Sequence, residues 1–250
     1  MASGSSGNTT FVATDRTRLL VDAGLSFRDT CARLASIGED ATKLDAILIT
    51  HEHTDHIAGL PRLAKKLDIP VYMTWLTAPA IDWMGYTPKL EVFYAGATVV
   101  IGDIEVDSFT IPHDARDPIG FCLRAQGVKF GVATDLGYIT DSIRFHLRRA
   151  DLLLLESNHD IEMLKVGPYP WSVKQRVMSR VGHLSNEGAC DFISRDCESS
   201  VSTLILGHLS SHNNHPEIAR IGARQALDQR GLATSLVVAE QKKPTEVFTY

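Results

Sequence analysis

Short apolar runs broken by Gly, Pro and Asp recur through the first half of the chain at strand-like spacing. Thr10-Phe11-Val12-Ala13, Arg18-Leu19-Leu20-Val21, Ala46-Ile47-Leu48-Ile49 and Val71-Tyr72-Met73 read as strands. Between them, residues 27–37 carry apolar side chains at helical spacing and Gly38 closes the pattern. Leu60, Leu63, Ala64 and Leu67 mark a second helix with Arg62, Lys65 and Lys66 on its wet face. Thr74 is expected to cap a further helix, and Trp75 and Trp83 are expected to pack rather than to stack on bases.

From residue 90 to residue 132 the strand signal becomes dense. Glu91-Val92-Phe93, Thr98-Val99-Val100, residues 104–109, residues 120–124 and Lys129-Phe130-Gly131-Val132 are separated by Gly, Asp or Pro turns. The remainder alternates: strands at 151–155, 202–206, 236–238 and 246–248, and helices at 172–180, 186–195 and 216–229. Two β-rich halves with helices outside predict an α/β fold, a four-layer αββα sandwich, in one domain covering residues 1–250.

One polar stretch interrupts this pattern. Thr50-His51-Glu52-His53-Thr54-Asp55-His56 follows the apolar run 46–49 and precedes Ile57-Ala58-Gly59-Leu60-Pro61, which reads as the opening of a helix. Four potential ligands thus share one strand-to-helix turn. Imidazole and carboxylate together suit borderline divalent cations such as zinc, manganese or iron. His51 and His53, two apart, face one side, and Asp55 and His56 are placed to serve a second ion nearby. A solvated loop is the alternative for a lone His-x-His, and the added Asp-His pair tells against it.

His51-Glu52-His53-Thr54-Asp55-His56 resembles the H-x-H-x-D-H signature of the metallo-β-lactamase superfamily. The surrounding wording resembles the YycJ/WalJ-type branch of nucleases, with matches at Ser3-Gly4-Ser5-Ser6-Gly7-Asn8, Val21-Asp22-Ala23-Gly24-Leu25, Pro112-His113-Asp114-Ala115, Ala133-Thr134-Asp135-Leu136-Gly137, Glu156-Ser157-Asn158-His159-Asp160, Gly182-His183-Leu184-Ser185-Asn186-Glu187 and Gly207-His208-Leu209-Ser210. These run almost from end to end. Residues 3–7 are accordingly expected to form a glycine-rich turn near the site, with the strand that the family places before it missing or truncated.

Bulk properties are those of an ordinary globular protein: 250 residues, 44% hydrophobic and 22% charged. No apolar segment approaches the ~20 residues of a membrane span. The first residues lack the charged and apolar parts of a signal sequence, so a cytoplasmic location without membrane association is expected. Cys31, Cys122, Cys190 and Cys197 are scattered and read as reduced thiols. The net charge of −5 argues weakly against a nucleic-acid protein, but ligating carboxylates inflate it, and two bound dications would cancel about four of those charges.

His113, Asp135 and His208 each follow an apolar strand in a turn containing Gly, Pro or Asp. Taken singly, each is an ordinary loop residue. The resemblance makes them partners in a dinuclear centre: His51, His53 and His113 on one metal, Asp55, His56 and His208 on the other, and Asp135 bridging, with two Zn²⁺ or Mn²⁺ ions, or iron, as the cofactors. Asp55 is counted among the catalytic residues for that reason. A hydroxide shared by the metals is the implied nucleophile. Asp22, at a strand end, is assigned to orienting a neighbouring histidine, with a simple turn as the alternative.

His183 and Glu156 resemble the His of the H-S-T element and the Glu of the H-E-A-T element in tRNA-maturation nucleases. They are expected to act as a general acid and the carboxylate that keeps it protonated and aimed. The alternative is a helix neighbour and a solvated strand end. Asn158, His159, Tyr169, Lys174, Arg176, Ser210, Ser211, His212 and Asn213 are candidate substrate contacts, with a plain surface helix or turn as the competing reading.

The resulting expectation is a metal-dependent phosphodiesterase on nucleic acid, DNA favoured over RNA, acting as a 5′-to-3′ exonuclease, monomeric or homodimeric. An RNA endonuclease of the tRNA-processing type, a cyclic-nucleotide phosphodiesterase and a non-catalytic regulatory module are the alternatives.

Overall fold

Alternation along the strands decides the layering in the computed structural model, which describes residues 1–250. A five-stranded sheet runs in the order β1 (Thr10–Ala13), β2 (Arg18–Val21), β3 (Ala46–Leu48), β4 (Val71–Thr74) and β5 (Leu90–Phe93), parallel except for β1 against β2. A seven-stranded sheet contains β6 (Thr98–Ile101), β7 (Ile104–Thr110), β8 (Ile119–Ala125), β9 (Val128–Ala133), β10 (Leu152–Glu156), β11 (Thr203–Gly207) and β12 (Ser235–Val238). The strands β6 to β9 form an antiparallel meander, and β9 to β12 lie parallel.

Leu19, Val21, Ala46 and Leu48 face the second sheet and meet Val106, Phe121, Val132, Leu154 and Ile205 in the core between the sheets. Their neighbours Leu20, Ile47 and Ile49 point the other way, because successive strand residues alternate faces. They are covered by Leu34 of α1 (Phe27–Ser36) and by Leu60 and Leu63 of α3 (Leu60–Leu67), which follows the single turn α2 (Thr54–Ile57). On the far side, Leu153, Leu155, Leu204 and Leu206 bury against Ile143 of α4 (Asp141–Leu147). Beyond the short helices α5 (Ile161–Val166) and α6 (Trp171–Val177), that layer is completed by Phe192 of α7 (Asn186–Arg195) and Ala223 of α8 (Pro216–Gln229). These three apolar layers are those of an αββα sandwich. Truncating one of the fully buried leucines to alanine is worth about 2–5 kcal/mol.

The layering brings one edge into use. Asp22 follows β2, residues 50–56 follow β3, His113 follows β7, Asp135 follows β9, Glu156 ends β10 and His208 follows β11. Rigid sheets thereby display these side chains from short loops.

Several expectations are corrected. Thr74 ends β4 rather than capping a helix: only a 3₁₀ turn follows, Ala78–Ala80, with Thr77 before it. Trp75 is 57% exposed and so is not a packing residue, whereas Trp83 does pack against the α1 and α3 layer. Residues 246–248 form no strand. Phe248 anchors that segment in the inter-sheet core and the Tyr250 hydroxyl donates to Thr203 Oγ1 at 2.7 Å, so side chains rather than a backbone ladder hold it. The helix expected at 172–180 ends at Val177. The strand before the glycine-rich turn, by contrast, is truncated as expected, to one antiparallel bridge between Ala2 and Thr9.

Candidate metal centre

The edge is built outward from Thr50 and Asp22. Thr50 donates its backbone N–H to Asp22 Oδ1 at 2.9 Å, and its hydroxyl lies 3.0 Å from both Asp22 oxygens. Asp22 Oδ2 takes His56 Nδ1 at 2.8 Å, and Thr50 Oγ1 lies 3.0 Å from His51 Nδ1. Both imidazoles are thereby anchored through Nδ1, which leaves Nε2 turned to the centre. His113 is set in the same way, with Nδ1 donating to the Gly182 carbonyl at 3.0 Å. His208 is set through Nδ1 on Glu156 Oε1 at 2.7 Å.

Glycine-rich packing fixes the helical turn that carries Asp55 and His56. Gly24 N donates to Asn8 O at 2.9 Å, Asn8 N to Asp55 O at 2.7 Å and Ala23 N to His56 O at 2.7 Å. A Cβ on Gly24 would lie 1.8 Å from Asp55 O, so only glycine admits this approach. Asp22, Asp135 and His208 all adopt positive φ, at 62°, 61° and 56°. Non-glycine residues in this region cost of order 1 kcal/mol each and persist where the surroundings over-determine them, as they do at this edge.

The facing atoms converge. His113 Nε2 lies 3.2 Å from His53 Nδ1, His56 Nε2 lies 3.2 Å from Asp135 Oδ2, and His208 Nε2 lies 3.2 Å from Asp55 Oδ2. Ligand atoms of His51, His53 and His113 lie within 4.8 Å of one another, as do those of Asp55, His56 and His208, and of His51, His56 and Asp135. A fourth group joins Asp135, Glu156, His183 and His208.

Charge is concentrated accordingly. Burial pushes His51 well below the ordinary imidazole range, and His56 beside it adds to that. Burial acts in the same direction on His113. For His208 burial is outweighed by Asp135, Asp55 and Glu156, which raise it to about 10. His56 is likewise raised well above its ordinary value by Asp135 and Asp22 against burial. Asp135 is held well below the carboxylate range by His208 and His56, again against burial.

Among the expected ligands, two buried atoms have no hydrogen-bond partner: His51 Nε2 and Asp135 Oδ2. An unpaired buried acceptor costs about 1–3 kcal/mol unless something satisfies it. The donor set is nitrogen and oxygen without a thiol, and the second ring nitrogen of His51, His56, His113 and His208 is already engaged. That arrangement fits a divalent cation of the zinc, manganese or iron type. The four cysteines are unpaired and stand outside it.

His183 and Glu156 border the same space. His183 Nδ1 bonds Glu156 Oε1 at 2.9 Å and lies 3.7 Å from Asp135 Oδ1. The second oxygen, Glu156 Oε2, accepts the backbone N–H groups of Leu136 at 2.9 Å and Leu184 at 3.0 Å. Burial opposes a charged His183, but Glu156 and Asp135 outweigh it and raise its pKa. Against its burial, Glu156 is held at about 2 by His183 and His208.

The expected substrate contacts divide. Asn158, Tyr169, Ser210 and Asn213 line a cavity of about 230 Å³ with His53, Asp55, Asp135, His183 and His208. Asn158 also donates to the His208 carbonyl at 2.8 Å. Lys174 is turned away: its side chain is buried and Nζ donates to the Lys165 carbonyl at 2.7 Å, which corrects its assignment. Arg176 is paired with Asp114, and Ser211 and His212 stand exposed with their side chains 3.0 Å apart. His159 lies on the other side of His183, in a second cavity.

Four contributors had not been singled out. Asn8 Nδ2 lies 3.1 Å from Asp55 Oδ2 and 3.0 Å from His56 Nε2, and Ser3 Oγ accepts His208 N at 2.7 Å. Thr50 joins Asp22 to two histidines, and Asp114 Oδ1 lies 3.6 Å from His113 Nε2. The signal for the first pair was the run Ser3-Gly4-Ser5-Ser6-Gly7-Asn8 itself.

Comparison with known proteins agrees with this geometry. The model of the Beta-lactamase superfamily domain matches residues 17–208. The chain is 39% identical to Exodeoxyribonuclease YycJ of Bacillus anthracis, over 99% of this chain and 96% of that protein. It is also 39% identical to Exodeoxyribonuclease WalJ of Streptococcus pneumoniae, over 94% and 90%. The metallo-β-lactamase fold protein YhfI of Bacillus subtilis superposes with a TM-score of 0.74 at 18% identity, over 98% of this chain and 96% of that one. With its ligand run, its two-sheet sandwich and these full-length matches, the chain belongs to the metallo-β-lactamase superfamily, among its YycJ/WalJ-like members.

Proposed function

We propose that the chain is a metal-dependent nuclease, and more specifically an exonuclease that removes nucleotides from the 5′ end of DNA. The names of the two 39% identical relatives support the activity and the DNA substrate. The observation that carries the chemistry is the His183–Glu156 hydrogen bond, 2.9 Å long, at the border of the ligand cluster. A thioester hydrolase, whose thiolate leaves unaided, needs no proton donor there, whereas an alkoxide leaving phosphorus gains from one.

In this reading His51, His53 and His113 would hold one divalent ion, Asp55, His56 and His208 would hold a second, and Asp135 would contribute to holding them. Bound there, the ions would activate water and offset charge on the phosphodiester. Asp22 and Thr50 fix the rings of His56 and His51, and Asn8 steadies Asp55. Glu156 keeps His183 protonated with Nδ1 engaged, so Nε2 delivers the proton to the leaving oxygen. Tyr169, Ser210 and Asn213 line the approach and contact the substrate strand.

The test is digestion of DNA labelled at either end, with Mn²⁺ or Zn²⁺ added. Progressive release of mononucleotides from the 5′ end is expected. Cleavage confined to precursor tRNA, cyclic nucleotides or bis-p-nitrophenyl phosphate would overturn the DNA exonuclease reading.

A further inference from the structure

A second cavity, of about 350 Å³, lies behind the proposed proton donor. His183 is the only residue that lines both it and the cavity at the ligand cluster. Its lining mixes polar groups with apolar and aromatic faces from Tyr138, Ile139, Ile161, Met178 and Phe192. Arg180 lies over the Tyr138 ring, 4.3 Å from its centroid, and holds that wall in place. One buried polar atom of the lining is left unspent. His159 is 2% exposed, lines the cavity, and has an Nδ1 atom with no hydrogen-bond partner in the protein. Apart from His183, the charged lining carries no net charge, with Arg144 and Arg195 set against Asp191 and Asp196, and Arg144 bonds Asp196 at 2.8 Å.

These features suit a flat, neutral, hydrogen-bonding group rather than a phosphate. A pocket that sets aromatic and apolar faces beside a buried, unpaired ring nitrogen fixes the orientation of such a group. The pocket begins where the leaving oxygen must receive its proton, so the strand on that side of the scissile bond passes directly into it.

We propose that this cavity is a nucleobase subsite, holding the base of the terminal nucleotide that carries the leaving oxygen, with His159 bonding its edge. The inference rests on the nuclease reading of the neighbouring centre. In the step it serves, the oxygen of water bonds to phosphorus, the P–O3′ bond breaks, and the proton on His183 passes to O3′. His183 is returned to its charged form by the proton released from the attacking water. The released nucleotide keeps the base in the cavity, and the shortened strand retains a 5′-phosphate, so it presents the same kind of end for the next cycle. A volume of about 350 Å³ accommodates one base with its sugar, which sets the step at one nucleotide.

The experiment compares 5′-phosphorylated single strands that are intact, abasic at the first position, or abasic at the third. Wild-type enzyme with Mn²⁺ is expected to cut the first bond about tenfold or more faster in the intact strand than in the strand abasic at position one. No such difference is expected for position three. Met178→Trp, which fills the cavity from its partly exposed wall, and His159→Ala should each shrink the intact-to-abasic ratio severalfold. A wild-type ratio near one, or an unchanged ratio in both variants, would overturn the subsite.

If wild-type protein releases nothing from DNA, the nuclease reading falls and the cavity is judged by titration of the metal-free protein with thymidine 5′-monophosphate. Weaker binding in Met178→Trp by about tenfold would support the subsite, and equal binding or none in wild type would remove it.

Discussion

His183 and His208 share one oxygen: the Nδ1 atoms of both lie on Glu156 Oε1, at 2.9 and 2.7 Å. One carboxylate therefore steadies the proposed proton donor and a proposed metal ligand together. Its two substitutions should separate. His183→Ala is expected to lower turnover about 10²–10⁴-fold while metal content stays at the wild-type level. Glu156→Gln removes the charge behind both rings, so turnover and metal affinity should fall together. Turnover on labelled DNA, with metal content by atomic emission, checks both. Loss of metal in His183→Ala would show that this ring is a ligand.

Asp22 reaches the centre only through His56 and Thr50, yet it is 4% exposed and nearly all its bonding capacity is spent there. Removing the carboxylate leaves His56 Nδ1 with only the longer contact to Thr50 Oγ1, 3.3 Å away, and loosens the ring. Outer partners of metal-bound histidines typically contribute 10–100-fold in affinity. Asp22→Ala is expected to weaken zinc binding by about that factor in a chelator competition, and Asp22→Asn, which keeps an oxygen toward His56, by less. Equal affinity in wild type and Asp22→Ala would remove the orienting role.

Gly24 and Gly38 provide a matched pair for the backbone. A Cβ at Gly24 would lie 1.8 Å from the Asp55 carbonyl, whereas at Gly38, with φ +80°, it would meet nothing within 4 Å. Gly38→Ala should cost about 1 kcal/mol, the expense of a left-handed conformation. Gly24→Ala must push β2's end away from α2, at about 3 kcal/mol or more, and should also weaken metal binding by shifting Asp55. Urea unfolding of both variants gives the comparison, and similar costs at the two positions would contradict the close-packing account.

Much of this arrangement is legible along the chain because its signals are local. The helix α8 begins at Pro216 and ends at Gln229, as the apolar spacing and the proline at its first turn imply. Residues 51–56 announce themselves because adjacent ligands share a turn. What sequence hides is assembled through space. Thr50 reads as an ordinary residue at the head of the ligand run, and its hydroxyl acquires its role only when β2 brings Asp22 alongside β3. Lys174 looks like a substrate contact because its charge suggests solvent, but a carbonyl on α5 takes its ammonium instead. Residues 246–248 have a strand's alternation, yet Phe248 alone satisfies that pattern by packing in the core. The positive φ angles at Asp22, Asp135 and His208 leave no mark in composition at all.

The pH response of the metal-free protein follows from His208. Burial works against its charge, but Asp135, Asp55 and Glu156 raise its pKa to about 10, from an ordinary value near 6.5. A folded-state pKa above the unfolded one contributes stability that is complete below pH ~6.5 and is lost as pH rises toward ~10. The metal-free protein should therefore lose thermal stability between those limits. A bound cation takes the proton's place among the same carboxylates, so protein loaded with Zn²⁺ should hold its midpoint over the same range. Loading at pH 8 must also expel protons, because the metal-free ring still carries one. Calorimetric titration with Zn²⁺ in two buffers of different ionisation heat measures that release directly. At least one proton per protein is expected, and the count should fall in His208→Ala. Binding without proton release, or a midpoint falling equally with and without metal, would place the cation away from His208.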